Sequence, residues 1–587
     1  MRTHAAPDAS PRQLRSRLLS CVLALGMFVV ACRTGEQKTA GATAAGTRWH
    51  SYNRGYDGQR YADIDQITPA NVGTLAPVCQ VKLGEEGPFQ AGPLVLGDTL
   101  IITTARTTAA LNATNCAQIW RHVDEPKGTP PISVNRGAAY LDGRIYRGTP
   151  DGRLYALDAK TGATVWEDSI GNPGIGEFVS SAPVAWNGTV FVGLAGSDWG
   201  IRGHMMAFDA ATGKEKWRFY TIPMGSEPGA ESWHIPATAH RGGGAQWTSY
   251  ALDTATSEVF VPVANPSPDF APQSRPGDNL YTNSLVVLDV ATGKLKWYYQ
   301  LRANDGFDWD LGAAPMLYSA GGNARVALGS KDGFVYAVDR GSHKLAFKTA
   351  VTTIANADSQ PTPKGVTVCP GPLGGVEWNG PAYDPKTNMI YVGAVDWCAT
   401  YTTTTGTPTY SPGGVYMGTS YVPPAGTSYS GWLTALDAGS GQVKWKFHAP
   451  QPIVAAVTPT SGGVVFNGDL GGDFYAFDAE TGKVLLTLKT PGAIAGGIVT
   501  YVVGGKQYVA TTSGNISRST FKTGGSPTII IMALGAKGAP ASSELPAVKP
   551  PASSIDPGAP PADSATPPTK GKPGNAGPKA ATKGKTT

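Results

Sequence analysis

The stretch VLDVATGKLKW, Val287 to Trp297, decides the fold, because its pattern returns throughout the 587-residue chain. Two short apolar segments flank a turn. Asp289 can cap that turn with its side chain, Gly293 can take the positive φ a tight reversal demands, and Trp297 ends the second segment in a large aromatic. The pattern reads ALNATNCAQIW to Trp120, ALDAKTGATVW to Trp166 and AFDAATGKEKW to Trp217. Weaker copies are AVDRGSHKLAF to Phe347, ALDAGSGQVKW to Trp445 and AFDAETGKVLL to Leu486. A single copy cannot bury its closing aromatic, so the copies must stack. Where no insertion intervenes the closing residues recur 41 to 51 residues apart, a period that suits a four-stranded blade. Seven copies and a degenerate one predict an all-β, eight-bladed β-propeller over residues 48–536. Its last blade is expected to join segments after Trp49 to those around Gln507–Gly514, leaving no open sheet edge.

Composition agrees. Abundant glycine, 47 prolines, 14 tryptophans and only 16% charged residues describe a turn-rich, aromatic-rich chain rather than a helical one. The net charge of +5 is small for this length and comes largely from lysines after residue 536, so nucleic-acid binding is not indicated. Arg12, Arg15 and Arg17 precede the apolar run LLSCVLALGMFVVAC, which is too short to span a bilayer comfortably but suits a signal-peptide core. Val29-Val30-Ala31-Cys32 resembles a bacterial lipobox, which makes 1–32 a lipoprotein-type leader. The expected location is the periplasm, with the chain anchored to the membrane through a lipid on Cys32. Residues 33–47 read as a tether, and the Pro/Ala/Lys-rich residues 537–587 as a disordered tail.

Export permits disulfides. Proximity along the chain suggests Cys79 with Cys116 and Cys369 with Cys398, with other pairings open. The sequence contains no Cys-x-x-Cys-His, so it carries no covalently attached c-type haem of its own. The segment Val261–Gly312 adds an oxygen-rich turn at Asn265 and an acidic loop with Asp305, Asp308 and Asp310. Carboxylate and carboxamide oxygens on loops are what a hard cation binds, although Asn-Pro and Asp-Gly are also ordinary turn formers.

The repeat resembles the tryptophan-docking motif of the quinoprotein alcohol dehydrogenases, which use pyrroloquinoline quinone (PQQ). The resemblance runs from WHSYNRGYDGQRYADIDQITPANVGTL (Trp49 to Leu75) through NPSPDFAPQSRPGDNLYTNS (Asn265 to Ser284) to GGVVFNGDLGGDFYAFDAETGK (Gly462 to Lys483). It implies a metal site of Asp198, Asn265, Asp308 and Asp310, where Asp198 replaces the family's usual Glu. Asp310 occupies the position that marks lanthanide-using members, so the implied ion is calcium or a lanthanide. Trp247, in GGGAQW, matches the ring beneath the quinone; Arg136, Lys331 and Ser180 match groups that hydrogen-bond it, and Gly196 and Ser197 lie in the matching segment GSDWGIRG.

The resemblance further implies that Asp308 takes the proton of an alcohol, polyol or sugar hydroxyl as hydride moves to PQQ. Arg136 or Lys331 would steady the charge that develops on the quinone oxygen. Electrons would then pass to an external acceptor, a cytochrome c or a membrane quinone. Departures are visible too: Pro130-Pro131 stand where many members carry adjacent cysteines over the cofactor, Gln90 replaces a Glu, and Val395 replaces an Asn. The alternative is a non-catalytic, lipid-anchored propeller scaffold in outer-membrane assembly.

Overall fold

In the computed structural model, residues 48–549 are described except 404, 425, 427, 517–520 and 539. The leader 1–32, the lipid on Cys32, the tether 33–47 and the tail beyond 549 lie outside the described residues. Seven antiparallel four-stranded sheets occupy 94–123, 138–169, 184–220, 251–300, 316–350, 382–449 and 458–489, and a five-stranded closing sheet makes the eighth blade. We number these blades one to eight. The closing sheet takes Ile498–Val503, Lys506–Ser513 and Thr528–Leu534 from the late chain and Leu75–Lys82 from the early chain. Leu75 pairs with Leu534 and Lys82 with Thr528, so the ring is shut by a sheet built from both ends of the propeller. Trp49 lies at that seam, bonded through its backbone to Val95 of blade one and through Nε1–H to Thr500 O of blade eight at 2.8 Å.

The repeat explains how blades dock. Asp289 Oδ1 accepts from Thr292 N at 2.9 Å and Thr292 Oγ1 at 2.8 Å, which closes the turn of blade four. Gly293 then presents a bare backbone at φ +68° to the ring of Trp217 from blade three; a Cβ there would come within 2.5 Å of the indole. Trp120 lies on Gly162 and Trp166 on Gly213 in the same way. Each of these indoles also donates to the next blade, Trp120 to Ala159 O, Trp166 to Ala210 O and Trp217 to Val290 O, at 2.9 to 3.1 Å. Blade five has His343 in place of the glycine, and there Trp297 stacks flat on the imidazole with ring centroids 4.4 Å apart.

Both suggested disulfides are present. Cys79–Cys116 joins the outer part of blade eight to the turn of blade one, and Cys369–Cys398 joins two loops of blade six. The expected tail boundary differs from what is observed. Ala541–Glu544 adds in parallel to Leu75–Lys82, Leu545 is buried, and Arg106 Nη1–H donates to Lys549 O at 2.6 Å. The outer strand of the closing sheet offers unpaired backbone groups, and this polar segment satisfies them despite its composition. Among the described residues no helix is long and apolar enough to cross a membrane.

Antiparallel alternation places the site. The loop that enters a blade and the loop between its second and third strands must emerge at the same end of the ring, opposite the Asp–Gly turns. Arg136, Ser180, Trp247, Asp308 and Asp310 lie on entering loops, and Asp198, Asn265 and Lys331 on second-to-third-strand loops.

Candidate active site

Asp198 sits in the one-turn helix Ser197–Trp199 of blade three. Ser197 Oγ accepts Ala245 N–H at 2.9 Å, Gly244 N–H donates to Asn265 O at 2.9 Å, and Asn265 N–H donates to Asp310 Oδ1 at 2.6 Å. Four loops far apart in sequence are thus sewn together in a row. Lys331 extends the row: its ammonium lies 2.9 Å from Asp308 Oδ2 and 2.9 Å from Asp310 Oδ2, and its backbone N–H bonds Asp310 O. A long insertion of blade six covers the loops, with Tyr416 N–H donating to Asp198 O at 2.6 Å and Ser267 Oγ to Tyr416 O at 3.0 Å.

One oxygen each of Asp198, Asp269 and Asp308 lies within 4.8 Å of the other two. Asp269 was not singled out in the sequence; the signal available was an acidic residue four positions after Asn265 in the same loop. Burial holds the Asp308 carboxyl well above the usual carboxylate range, Lys331 pulls it back, and Asp310 and Asp198 push it up again. Burial also lifts Asp269, with the negative charges of Asp198 and Asp308 adding to it. For Lys331 burial opposes the charge, but Asp308 and Asp310 outweigh it and keep the amine protonated well above its ordinary range. An excess of carboxylates around one ammonium favours protons, or a further cation, at this spot. Asp308 Oδ1 and both Asp269 oxygens are buried without a protein partner, so the donor set fits a hard cation. Asp310 differs from the expectation in one respect: its two oxygens already accept from Asn265 N–H and Lys331.

On the other side Trp247 is half-buried. Arg136 Nη1–H and Ser180 Oγ–H both donate to Trp247 O, at 2.9 and 3.1 Å, and the guanidinium lies over the indole at 4.6 Å and over Trp378 at 5.1 Å. Gly312 connects the two halves, since a Cβ there would stand 3.1 Å from Trp247 and 3.4 Å from Lys331. Gly196 is equally tight, with a Cβ meeting Gly176 O at 2.1 Å. Phe307, Trp309, Trp378, Val395, Trp397 and Tyr401 form an apolar wall against Trp247. All the candidate residues therefore meet at one end of the ring, with Lys331 on the carboxylates in this arrangement.

Such a site can hold a hard cation beside an indole face that carries a guanidinium. The family described as "PQQ: Glucose/ethanol/alcohol dehydrogenase, beta-propeller domain" matches residues 49–359. That described as "Outer membrane protein assembly factor BamB" matches 393–526. The chain is 30% identical to the putative dehydrogenase XoxF of Paracoccus denitrificans, over 85% of this chain and 92% of that one. It is 29% identical to the quinohemoprotein alcohol dehydrogenase ADH IIB of Pseudomonas putida, over 86% and 78%. Among solved structures, the quinohemoprotein alcohol dehydrogenase ADHIIG of Pseudomonas putida superposes with a TM-score of 0.79 at 28% identity, covering 87% of this chain and 84% of that one. A europium-containing methanol dehydrogenase gives 0.75 at 26%, covering 83% and 98%. The chain belongs to the PQQ-dependent alcohol dehydrogenase family, oxidoreductases whose cofactors are PQQ and calcium or a lanthanide ion.

Proposed function

We propose that this chain oxidises an alcohol, a polyol or a sugar to the carbonyl, with Asp308 as the base. The observation that carries this is the buried meeting of carboxylates with Lys331 and Trp247 at one end of the ring. Asp198, Asn265, Asp308 and Asp310 would hold the cation, and Trp247, Arg136, Ser180, Gly196 and Ser197 would surround the quinone. When bound, the quinone supplies a two-electron acceptor and the cation supplies Lewis acidity. The remaining work falls to the chain. Asp308, buried and pushed toward higher affinity for a proton, can take one from a substrate hydroxyl. Lys331 shares its ammonium between Asp308 and Asp310, and it can follow charge from the carboxylates to a developing oxyanion. Arg136 lies over the Trp247 indole, where its charge would meet an anionic cofactor held at that ring. The apolar wall of Trp309, Trp378 and Val395 excludes water around these groups.

Electrons would pass on to an acceptor outside the propeller, a cytochrome c or a membrane quinone. Export to the periplasm and a lipid on Cys32 belong to the same proposal, and the leader sequence is what supports them. The match over 393–526 is what favours the scaffold reading. A bare scaffold, however, gains nothing by burying Asp198, Asp269 and Asp308 together. The test is to load purified protein with PQQ and either calcium or lanthanum(III) and follow reduction of an artificial dye across an alcohol panel. Dye reduction with at least one metal is expected. Silence with both, together with no retained quinone, would return the chain to the scaffold class.

A further inference from the structure

Asp269 has no task in the scheme above, yet it is fully buried and neither carboxylate oxygen meets a protein donor. Its backbone is firmly held. Arg275 donates from Nε to Pro268 O and from Nη2 to Asp269 O, both at 3.1 Å, while Phe270 N–H bonds Met417 O at 2.9 Å. The neighbouring guanidinium is spent on Pro268 O, Asp269 O, Asp305 O and Asn279 Oδ1 rather than on the carboxylate. The carboxylate instead points where an oxygen from Asp198 and one from Asp308 lie within 4.8 Å of its own. An unpaired buried carboxylate is costly, and it persists in a well-packed loop when a cation compensates it.

We propose that Asp269 is a direct ligand of the bound cation and that it biases the site toward a trivalent ion. This rests on the site reading given under the proposed function and names a ligand that reading lacks. Lys331 offsets one of the four carboxylates Asp198, Asp269, Asp308 and Asp310, and the negative charge that remains matches a trivalent ion better than calcium. Ligand charge sets the affinity of oxygen sites for hard ions.

Metal binding by the full chain tests this without turnover, measured with and without added PQQ. Terbium(III) is followed by tryptophan-sensitised luminescence and calcium by competition. Asp269→Asn is expected to bind terbium(III) roughly 10- to 100-fold more weakly and to lose less affinity for calcium. Its metal-free form should melt no lower than the parent, because an uncompensated buried charge has gone. Unchanged terbium(III) affinity in Asp269→Asn, with affinity lost in Asp198→Asn, overturns this inference and leaves the site reading standing. A lower metal-free melting temperature also counts against it, as the mark of a purely structural carboxylate. Failure of the parent protein to bind either ion would remove the site reading itself.

Discussion

Asp308 holds a left-handed backbone, φ +60°, which a residue with a Cβ adopts only when its surroundings insist. Asp305 is what insists. Its Oδ2 accepts Trp309 N–H at 3.0 Å and Phe307 N–H at 3.3 Å, folding the loop so that Asp308 turns toward Lys331. Two carboxylates three residues apart therefore do different work, one shaping the loop and the other facing the site. Asp308→Asn keeps the shape and removes the base, so kcat should fall by roughly two to four orders of magnitude. The melting temperature should stay near the parent's. Steady-state rates of the loaded variant check this, and unchanged turnover would show the base to be another residue. Asp308 was singled out in the sequence by its acidic loop together with the resemblance of DGFDWD to the family's segment. Asp269 was not, since its one signal, an acidic residue four positions after Asn265, reads equally as an ordinary turn former in NPSPDF.

At the scale of the element, the Asp–Gly turn and its docked tryptophan are the unit of assembly. Gly293→Ala adds a methyl 2.5 Å from the Trp217 ring at a positive φ. A loss of about 1–3 kcal/mol is expected, read as a lower denaturation midpoint. The strand His204–Asp209 carries a second liability. Burial lowers the His204 pKa from 6.5 to about 4, and the ring is 4% exposed. Because the unfolded chain takes up this proton first, the contribution is intact above about pH 6.5 and stability is lost as pH falls from there toward 4. The loss is on the order of 3 kcal/mol at most. His204→Gln should flatten the stability profile across that window, measured by urea unfolding at several pH values. An unaltered slope would mean that other groups dominate acid sensitivity.

Over the whole molecule, closure is the decisive contact. Leu75–Lys82 completes the sheet of Thr528–Leu534, and Cys79–Cys116, 37 residues apart, bolts that sheet to blade one. Replacing both cysteines by alanine should cost up to about 4 kcal/mol by loop-closure entropy. Equilibrium unfolding under non-reducing conditions measures it, and a loss well below 1 kcal/mol would show that the strand pairing alone suffices. The same closure extends order past residue 536, because Ala541–Glu544 finds the open edge of Leu75–Lys82. Composition at 537–549 carries no sign of this, since the partner lies more than 450 residues earlier.

By itself the sequence determined the blades and their order. These depend on short-range physics: a capped turn, a glycine at positive φ, an aromatic waiting for the next copy, and the up-down alternation that follows. Only the tertiary structure decided which loop oxygens meet. Asp269 joins Asp198 and Asp308, Asp310 is engaged by Asn265 and Lys331, and Arg136 lies on Trp247. Those encounters are set by ångström-scale distances between loops of different blades, and side-chain chemistry read along one chain carries no such distances.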